Sequence, residues 1–236
     1  MSGNHLSAPT TGKGPIIFCD FDGTISQVDV TDEILSELAH PSWREVEEEW
    51  LRGAIGSREC LERQMALVQA SAVELDGLID AVPVDPNFPA FLRFAEEHGI
   101  PFYVVSDGFD YVIQRVLRHA GLNGDLRNGM HLFSSSLAVK DRRLVASFPQ
   151  MACGHGCATC KAEVIRRLGQ GYHPVIFIGD GLSDRFAVAE SDVVFAKRQL
   201  LAYCRDRSIA CHHFETFADV HVGIEELPAM ATPAVG

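Results

Sequence analysis

The feature that most constrains this chain is an unbroken apolar run, Pro15-Ile16-Ile17-Phe18-Cys19, that stops abruptly at the carboxylate of Asp20. A run with no solvent-facing side predicts a central strand covered by helices on both faces. Ile100 to Val105, ending at Ser106, reads the same way, as does Val175 to Ile178, ending at Gly179-Asp180. Asp192 to Ala196 reads as a fourth strand. Between them lie helical stretches at Asn87 to His98, Phe109 to His119 and Ala162 to Leu168, each followed closely by a glycine suited to a helix stop. Strands alternating with helices predict an α/β fold on a parallel sheet, with its working site beyond the carboxyl ends of the strands. Asp20, Ser106 and Asp180 each fall at such an end.

Elsewhere the pattern changes. From Thr31 to about Val82 helix follows helix with no strand, so residues 31–83 are expected to form a small helical cap. It is inserted after the first strand of a core made of 15–30 and 84–225. Ser42 with Glu45, and Ser71 with Glu74, have capping-box spacing. His131 to Phe148, with Asp141-Arg142 at its middle, predicts a β-hairpin or an antiparallel edge addition. Residues 1–14, polar and Gly/Pro-rich, read as a disordered arm, and the Ala/Pro-rich residues 226–236 as a flexible tail. Trp43 and Trp50, one heptad apart, predict core packing, with the lining of a lid over an apolar substrate tail as the alternative. His212-His213 is expected on a surface turn.

Composition removes several function classes. With 32 acids against 20 lysines and arginines the net charge is −12, which opposes binding to a nucleic-acid backbone. No apolar run approaches the roughly 20 residues that span a bilayer, so no membrane partner is expected. Seven cysteines, an odd number scattered through a large chain, suit a reducing cytoplasm better than a disulfide framework. The pattern carries no sign of oligomeric state.

Four short motifs carry chemistry. In Asp20-Phe21-Asp22-Gly23-Thr24, Asp20 can attack an electrophile with one oxygen while the other binds a divalent cation. Asp22 can protonate a leaving group and then activate water, and Gly23 lets backbone N–H groups approach an anion. The plain alternative is an Asx-turn leaving a strand. Ser106-Asp107-Gly108 offers a hydroxyl and amides at a helix start, where phosphate binds readily, or simply an N-cap. Lys161 opens a helix and opposes its dipole, a small cost that a nearby anion would remove; alone, it reads as a solvated lysine. Asp180 and Asp184, around a glycine turn, would complete an oxygen-rich magnesium site, with Asp184 holding its waters or orienting Lys161. All four motifs sit at strand or helix ends on one edge, a coincidence that the plain readings do not explain together.

In order and spacing, Asp20-Phe21-Asp22-Gly23-Thr24, Ser106, Lys161 and Gly179-Asp180-x-x-x-Asp184 resemble the four motifs of the haloacid dehalogenase superfamily of phosphatases. The match covers roughly residues 15 to 215. A helical insertion between the first two motifs resembles its phosphoserine-phosphatase-like branch. The resemblance implies a Rossmann-like core, an aspartyl-phosphate on Asp20 and acid/base work by Asp22. It also implies magnesium held by Asp20, Asp180 and the Asp22 carbonyl, with phosphate contacts from Ser106 and Lys161. Phosphoserine phosphatases place a glutamate where Asp29 stands and use a cap arginine; Glu62 falls at that place here, with Arg58 and Arg63 close by. A glutamate cannot pair with a carboxylate at neutral pH. Element order, the antiparallel segment and the cysteine-rich stretch look more like the methionine-salvage phosphatase acting on hydroxy-keto-methylthiopentenyl phosphate. Asp107 departs from both branches, in which glycine usually follows the serine.

Cys153, His155, Cys157 and Cys160 place three thiols and an imidazole within eight residues. They could bind zinc tetrahedrally, or form a flexible reduced loop or a redox-sensitive pair beside the lysine. The expected activity is a magnesium-dependent phosphomonoesterase for a small phosphorylated metabolite. Phosphoserine phosphatase, a phosphotransferase or mutase, and a catalytically silent phospho-ligand sensor are the alternatives.

Overall fold

The computed structural model describes residues 13–122 and 130–230. The rest of the expected arm and tail, residues 1–12 and 231–236, lies outside the described residues. Lys13 and Gly14, read above as the end of the arm, are bonded to the core: Lys13 N–H donates to Gly171 O at 2.8 Å, and Gly14 O accepts from His173 N–H at 2.9 Å. Leu227 and Met230, at the start of the expected tail, pack against the core.

Strand β1 (Ile16–Cys19) is buried at every position. Ile17 and Cys19 join the larger apolar cluster and Ile16 and Phe18 the other, as the two-residue period of a strand between two helical layers requires. The remaining strands are β2 (Phe102–Phe109), β3 (Met130–Lys140), β4 (Arg143–Ser147), β5 (Val175–Gly179), β6 (Val193–Ala196) and β7 (His212–His213). They form one sheet in the order β4-β3-β2-β1-β5-β6-β7. Every neighbouring pair is parallel except β3 with β4. The fold is therefore the expected α/β class with an antiparallel edge. Asp141 and Arg142, at φ 46° and 61°, make the tight turn between β3 and β4, since primed hairpin turns need both residues left-handed. His212-His213 pairs with β6 as the opposite edge strand, rather than lying on a turn.

Between β1 and β2 run α1 (Val30–Leu38), α2 (Trp43–Leu51), α3 (Ser57–Met65), α4 (Ala72–Ile79) and α5 (Phe88–Glu97). The Ser71–Glu74 capping box is present, with both reciprocal bonds. The Ser42 box is not: Ser42 is helical, and its hydroxyl lies 2.9 Å from His40 Nδ1. Arg142 Nη1 meets Glu74 at 2.8 Å and Arg142 O accepts from Ala70 N–H, so the hairpin turn supports the helical insertion. Helices α6 (Asp110–His119), α7 (Lys161–Leu168), α8 (Arg198–Asp206) and α9 (Phe217–Glu225) follow, with short 3-10 turns at Leu182–Phe186, Val188–Glu190 and Pro228–Met230. None of the described helices is long and apolar enough to cross a membrane.

Candidate active site

In the sheet β1 lies between β2 and β5, and the chain builds outward from β1 through β2 to β4 on one side before returning to start β5 on the other. Such a switch point opens a crevice at the carboxyl ends of the strands. Asp20 follows β1, Ser106 sits within β2 and Asp180 follows β5, and all three line one cavity of about 330 Å³. Asp22, Asp29, Asp107 and Lys161 also line it, with Glu47, Trp50, Leu51, Leu61 and Gln64 from the inserted helices.

Lys161 is 3 % exposed and enters the floor of the cavity from the first residue of α7. Its Nζ lies 2.8 Å from Asp20 Oδ2 and donates to Asp184 Oδ1. Burial works against its charge, but Asp184, Asp20 and Asp107 outweigh burial and hold the ammonium above the ordinary lysine value. A solvated lysine is thus ruled out. Asp20 Oδ1 accepts from Phe21 N–H at 2.7 Å. Burial and then Asp184 push Asp20 well above the usual carboxylate range, against the pull of Lys161.

Asp180 Oδ1 accepts from Thr24 Oγ1 at 2.9 Å, and its Oδ2 accepts from Arg198 at 3.2 Å. Burial and Asp184 raise Asp180 to about 6. Gly23 sits at φ +68°, and a β-carbon there would collide with Asp180 Oδ2. Asp20, Asp180 and Asp184 each offer one oxygen within 4.8 Å of the others. Lys161 and Arg198 face Asp20, Asp22, Asp29, Asp107 and Asp180 along the cavity, so these oxygen acids are a hard donor set short of positive charge, which fits a small divalent cation such as magnesium. Asp184, however, is fully engaged by the chain. Its Oδ2 accepts the N–H groups of Asp180 and Gly181, both at 3.0 Å, while Oδ1 takes Lys161. Of the two uses foreseen for it, the geometry matches the orienting of Lys161.

Asp22 Oδ1 accepts from Val30 N–H at 3.1 Å, which ties it to the first turn of α1. Burial, then Asp29, push it well above the carboxylate range. Gly108 brings β2 close to this side chain: an added β-carbon would lie 2.6 Å from Asp22 Oδ2 and 3.1 Å from Ser106 Oγ. Ser106, 1 % exposed, accepts from Gly108 N–H at 2.9 Å. Asp29 caps α1 by accepting from Asp32 N–H. It is accessible from the cavity yet enclosed by protein around it, and burial and Asp32 raise it to about 6.

Asp107 is turned away from the anion-binding role that its place in the motif suggests. It accepts from Thr159 N–H at 2.9 Å and bonds the Ser57 side chain, so its charge braces a loop and the start of α3. Arg58 and Arg63 are not brought to the cavity wall. Arg58 stacks over Phe148 at 5.4 Å, and Arg63 is held by Glu49 at 2.7 Å and Glu59 at 3.4 Å. The heptad tryptophans divide: Trp43 is buried in the core and Trp50 lines the cavity.

Arg198 is the cation that the motifs do not announce. It stands at φ 47°, uncommon for a non-glycine residue, and reaches both Asp180 and Gln27 O. Its position just after the fourth strand was the available signal, because that strand too ends at the crevice. Gln64 donates to Glu47 at 2.8 Å on the cavity wall, a pairing across two helices that has no linear signature. Cys153, His155, Cys157 and Cys160 converge beside the site with one donor atom each within 4.8 Å. Burial works to raise the Cys153 thiol, but the N–H groups of Cys157 and His155 and the neighbouring thiols hold it below the ordinary value.

These features define a hydrolase class. The family model for haloacid dehalogenase-like hydrolases matches residues 17–187, and the chain belongs to that family. Among named relatives, it is 32 % identical over 221 residues to a 2-hydroxy-3-keto-5-methylthiopentenyl-1-phosphate phosphatase of Bacillus velezensis, with 91 % of this chain and 92 % of that one covered. A protein of the same name from Lysinibacillus sphaericus is 29 % identical, with 90 % and 95 % covered. Among solved structures, a substrate-bound phosphoserine phosphatase complex superposes with a TM-score of 0.64 at 19 % identity, covering 88 % of this chain and 97 % of that one. That last likeness is one of fold.

Proposed function

We propose that the chain hydrolyses a small phosphomonoester in the presence of magnesium, with Asp20 as the nucleophile. The observation that carries this reading is Lys161 bridging Asp20 and Asp184 at the floor of a cavity roofed by the inserted helices. Phosphoryl transfer needs charge neutralisation and positioning more than covalent effort. Phe21 N–H and Lys161 fix the two oxygens of Asp20, so its carboxylate is oriented before the ester arrives. Asp20 attacks phosphorus, and Asp22, whose carboxyl burial and Asp29 push well above the usual range, gives a proton to the departing alkoxide. Asp22 then takes a proton from water as that water attacks the aspartyl-phosphate, which restores both acids. Ser106, whose hydroxyl accepts from Gly108 N–H and keeps its own proton to donate, receives a phosphoryl oxygen together with Lys161, whereas Gly23 N–H is already taken by Val28 O. Magnesium, held by Asp20, Asp180 and the Asp22 carbonyl, would offset the charge of the phosphoryl group.

The ester that fits is 2-hydroxy-3-keto-5-methylthiopentenyl 1-phosphate, the substrate named for the relatives above. Trp50, Leu51 and Leu61 give the roof an apolar patch for a methylthio tail. Phosphoserine would need a cation for its carboxylate, and Arg58 and Arg63 face elsewhere, while Arg198, which does line the cavity, is already engaged by Asp180 and Gln27 O. All seven cysteines are free, which supports a reducing cytoplasm as the setting. The test is phosphate release from this ester and from phosphoserine, without any acceptor, in magnesium and again in chelator. Release from the first only, lost in chelator, is expected. Faster release from phosphoserine would overturn the substrate, and none from either would overturn the hydrolase.

A further inference from the structure

Residues 148–160 connect β4 to α7 with neither helix nor strand. From 149 to 157 no side chain is fully buried, and Gly154 and Gly156 leave the backbone unrestrained. Such a segment has little apolar packing to fix it. It is nonetheless held to the core and the cap through contacts that tolerate little displacement. Gly156 O accepts from Arg58 N–H at 3.1 Å, and Gly156 packs so closely on Gly56 that no β-carbon fits at residue 56. Ala158 N–H donates to Ser57 Oγ at 3.0 Å, and Thr159 N–H to Asp107 at 2.9 Å. The His155 ring lies flat on Phe186, with centroids 3.8 Å apart and planes 10° apart.

What these contacts lack is a centre, and the four donor atoms supply one. Sγ of Cys153, Cys157 and Cys160 and a ring nitrogen of His155 all lie within 4.8 Å of one another. In a tetrahedral zinc site, bonds of about 2.3 Å to sulfur and about 2.0 Å to nitrogen put three sulfurs and one nitrogen about 3.5–3.8 Å apart. A small contraction of the loop therefore closes the shell. We propose that Cys153, His155, Cys157 and Cys160 form a structural zinc site that fixes this loop against both the cap and the start of α7.

Donor type assigns the metal. Three thiolates and an imidazole select zinc over magnesium, while the carboxylate oxygens around Asp20 make the opposite choice. Four protein ligands also close the shell, as in structural rather than catalytic sites. Binding would release up to three thiol protons to solvent, without redox change. A disulfide is the competing use of these thiols, but it takes two of three and leaves His155 with no part. The site's place in the fold explains its value. Cys160 is the N-cap of α7, so the residue after the last ligand is Lys161.

The test uses the full chain prepared under reducing conditions and dialysed in magnesium buffer, with zinc measured by elemental mass spectrometry. About one zinc per chain is expected in wild type and in Asp20→Asn, falling below about a tenth in Cys153→Ser/Cys157→Ser and in His155→Ala. Replacement by cobalt(II) should give wild type the charge-transfer and tetrahedral d–d absorption of a cobalt thiolate, a reading that needs no variant to fold. Reduced wild type that takes up neither zinc nor cobalt from excess metal would overturn the site. So would zinc retained by the double cysteine variant but lost from Asp20→Asn, since the metal would then sit at the carboxylates.

Discussion

Lys161 Nζ lies 2.8 Å from Asp20 Oδ2 while the same ammonium donates to Asp184, so one buried cation serves two buried acids. With Arg198 on Asp180 as the second cation, the acids lining the cavity (Asp20, Asp22, Asp29, Asp107 and Asp180) still outnumber the positive charges and leave an excess of negative charge. That excess makes the site receptive to a divalent cation and a phosphoryl group, and costly to disturb by removing the lysine.

Lys161→Met should cost about 3–5 kcal/mol of stability near pH 8 in chelator, because it strands buried carboxylates. The loss should shrink toward acid pH. Asp20 has a folded-state pKa above its unfolded one, so its favourable contribution holds below the unfolded value and is lost as pH rises through the folded one. Denaturant titrations at several pH values would show this. An equal loss at every pH would contradict the charge argument.

Asp20→Asn should lower phosphate release by several powers of ten, as loss of a nucleophile does. It also removes a buried acid that is hard to ionise, so metal-free stability near neutral pH should be unchanged or higher. Activity above about one per cent of wild type would contradict a nucleophilic role.

Gly108→Ala should be more harmful to turnover than to folding. Its β-carbon would lie 2.6 Å from Asp22 Oδ2 and press the carboxylate away from its present position. Misplacing a catalytic group by about 1 Å costs roughly a hundredfold, and kcat should fall by about that factor. A kcat near wild type would show that Asp22 has room elsewhere.

Asp29→Asn should separate charge from capping, since asparagine caps a helix as well as aspartate. Burial and Asp32 raise Asp29 to about 6, so its contribution to stability is present below the unfolded value of about 4 and lost as pH rises through about 6. The variant should match wild type in Tm at low pH and exceed it above pH 6. A lower Tm throughout would mean that the carboxylate is worth more as a cap than it costs as a charge.

Much of this was legible because central strands and strand-end motifs are linear features. Apolar runs gave β1 and β5, and the acids that follow them meet in space as the strand-end rule requires. The hairpin was visible from Asp141-Arg142, two residues between alternating strands. What stayed hidden depends on which way helices face. Arg63 has the chemistry of a substrate clamp but is taken by Glu49, fourteen residues away on another helix. Asp107 departs from the motif in a way the sequence leaves unexplained, because the partners its oxygens take, Thr159 N–H and Ser57, come from distant segments. The Ser42 box failed because His40, two residues away, competes for the hydroxyl.

The two tryptophans test the proposed substrate. Trp43 belongs to the core, whereas Trp50 stands at the cavity beside Leu51 and Leu61. Trp43→Ala should cost about 3–5 kcal/mol, as large-to-small changes in packed interiors do. Trp50→Ala leaves a wall already open to solvent, so its stability cost should be much smaller. Its effect should fall on binding instead: a methylthio tail loses an apolar contact, and KM for the tailed ester should rise about tenfold or more with kcat nearly unchanged. A short phosphomonoester without the tail should show no such rise. Equal losses for both esters would place Trp50 in general support of the cap, and would leave the tail to be held by some other part of the roof.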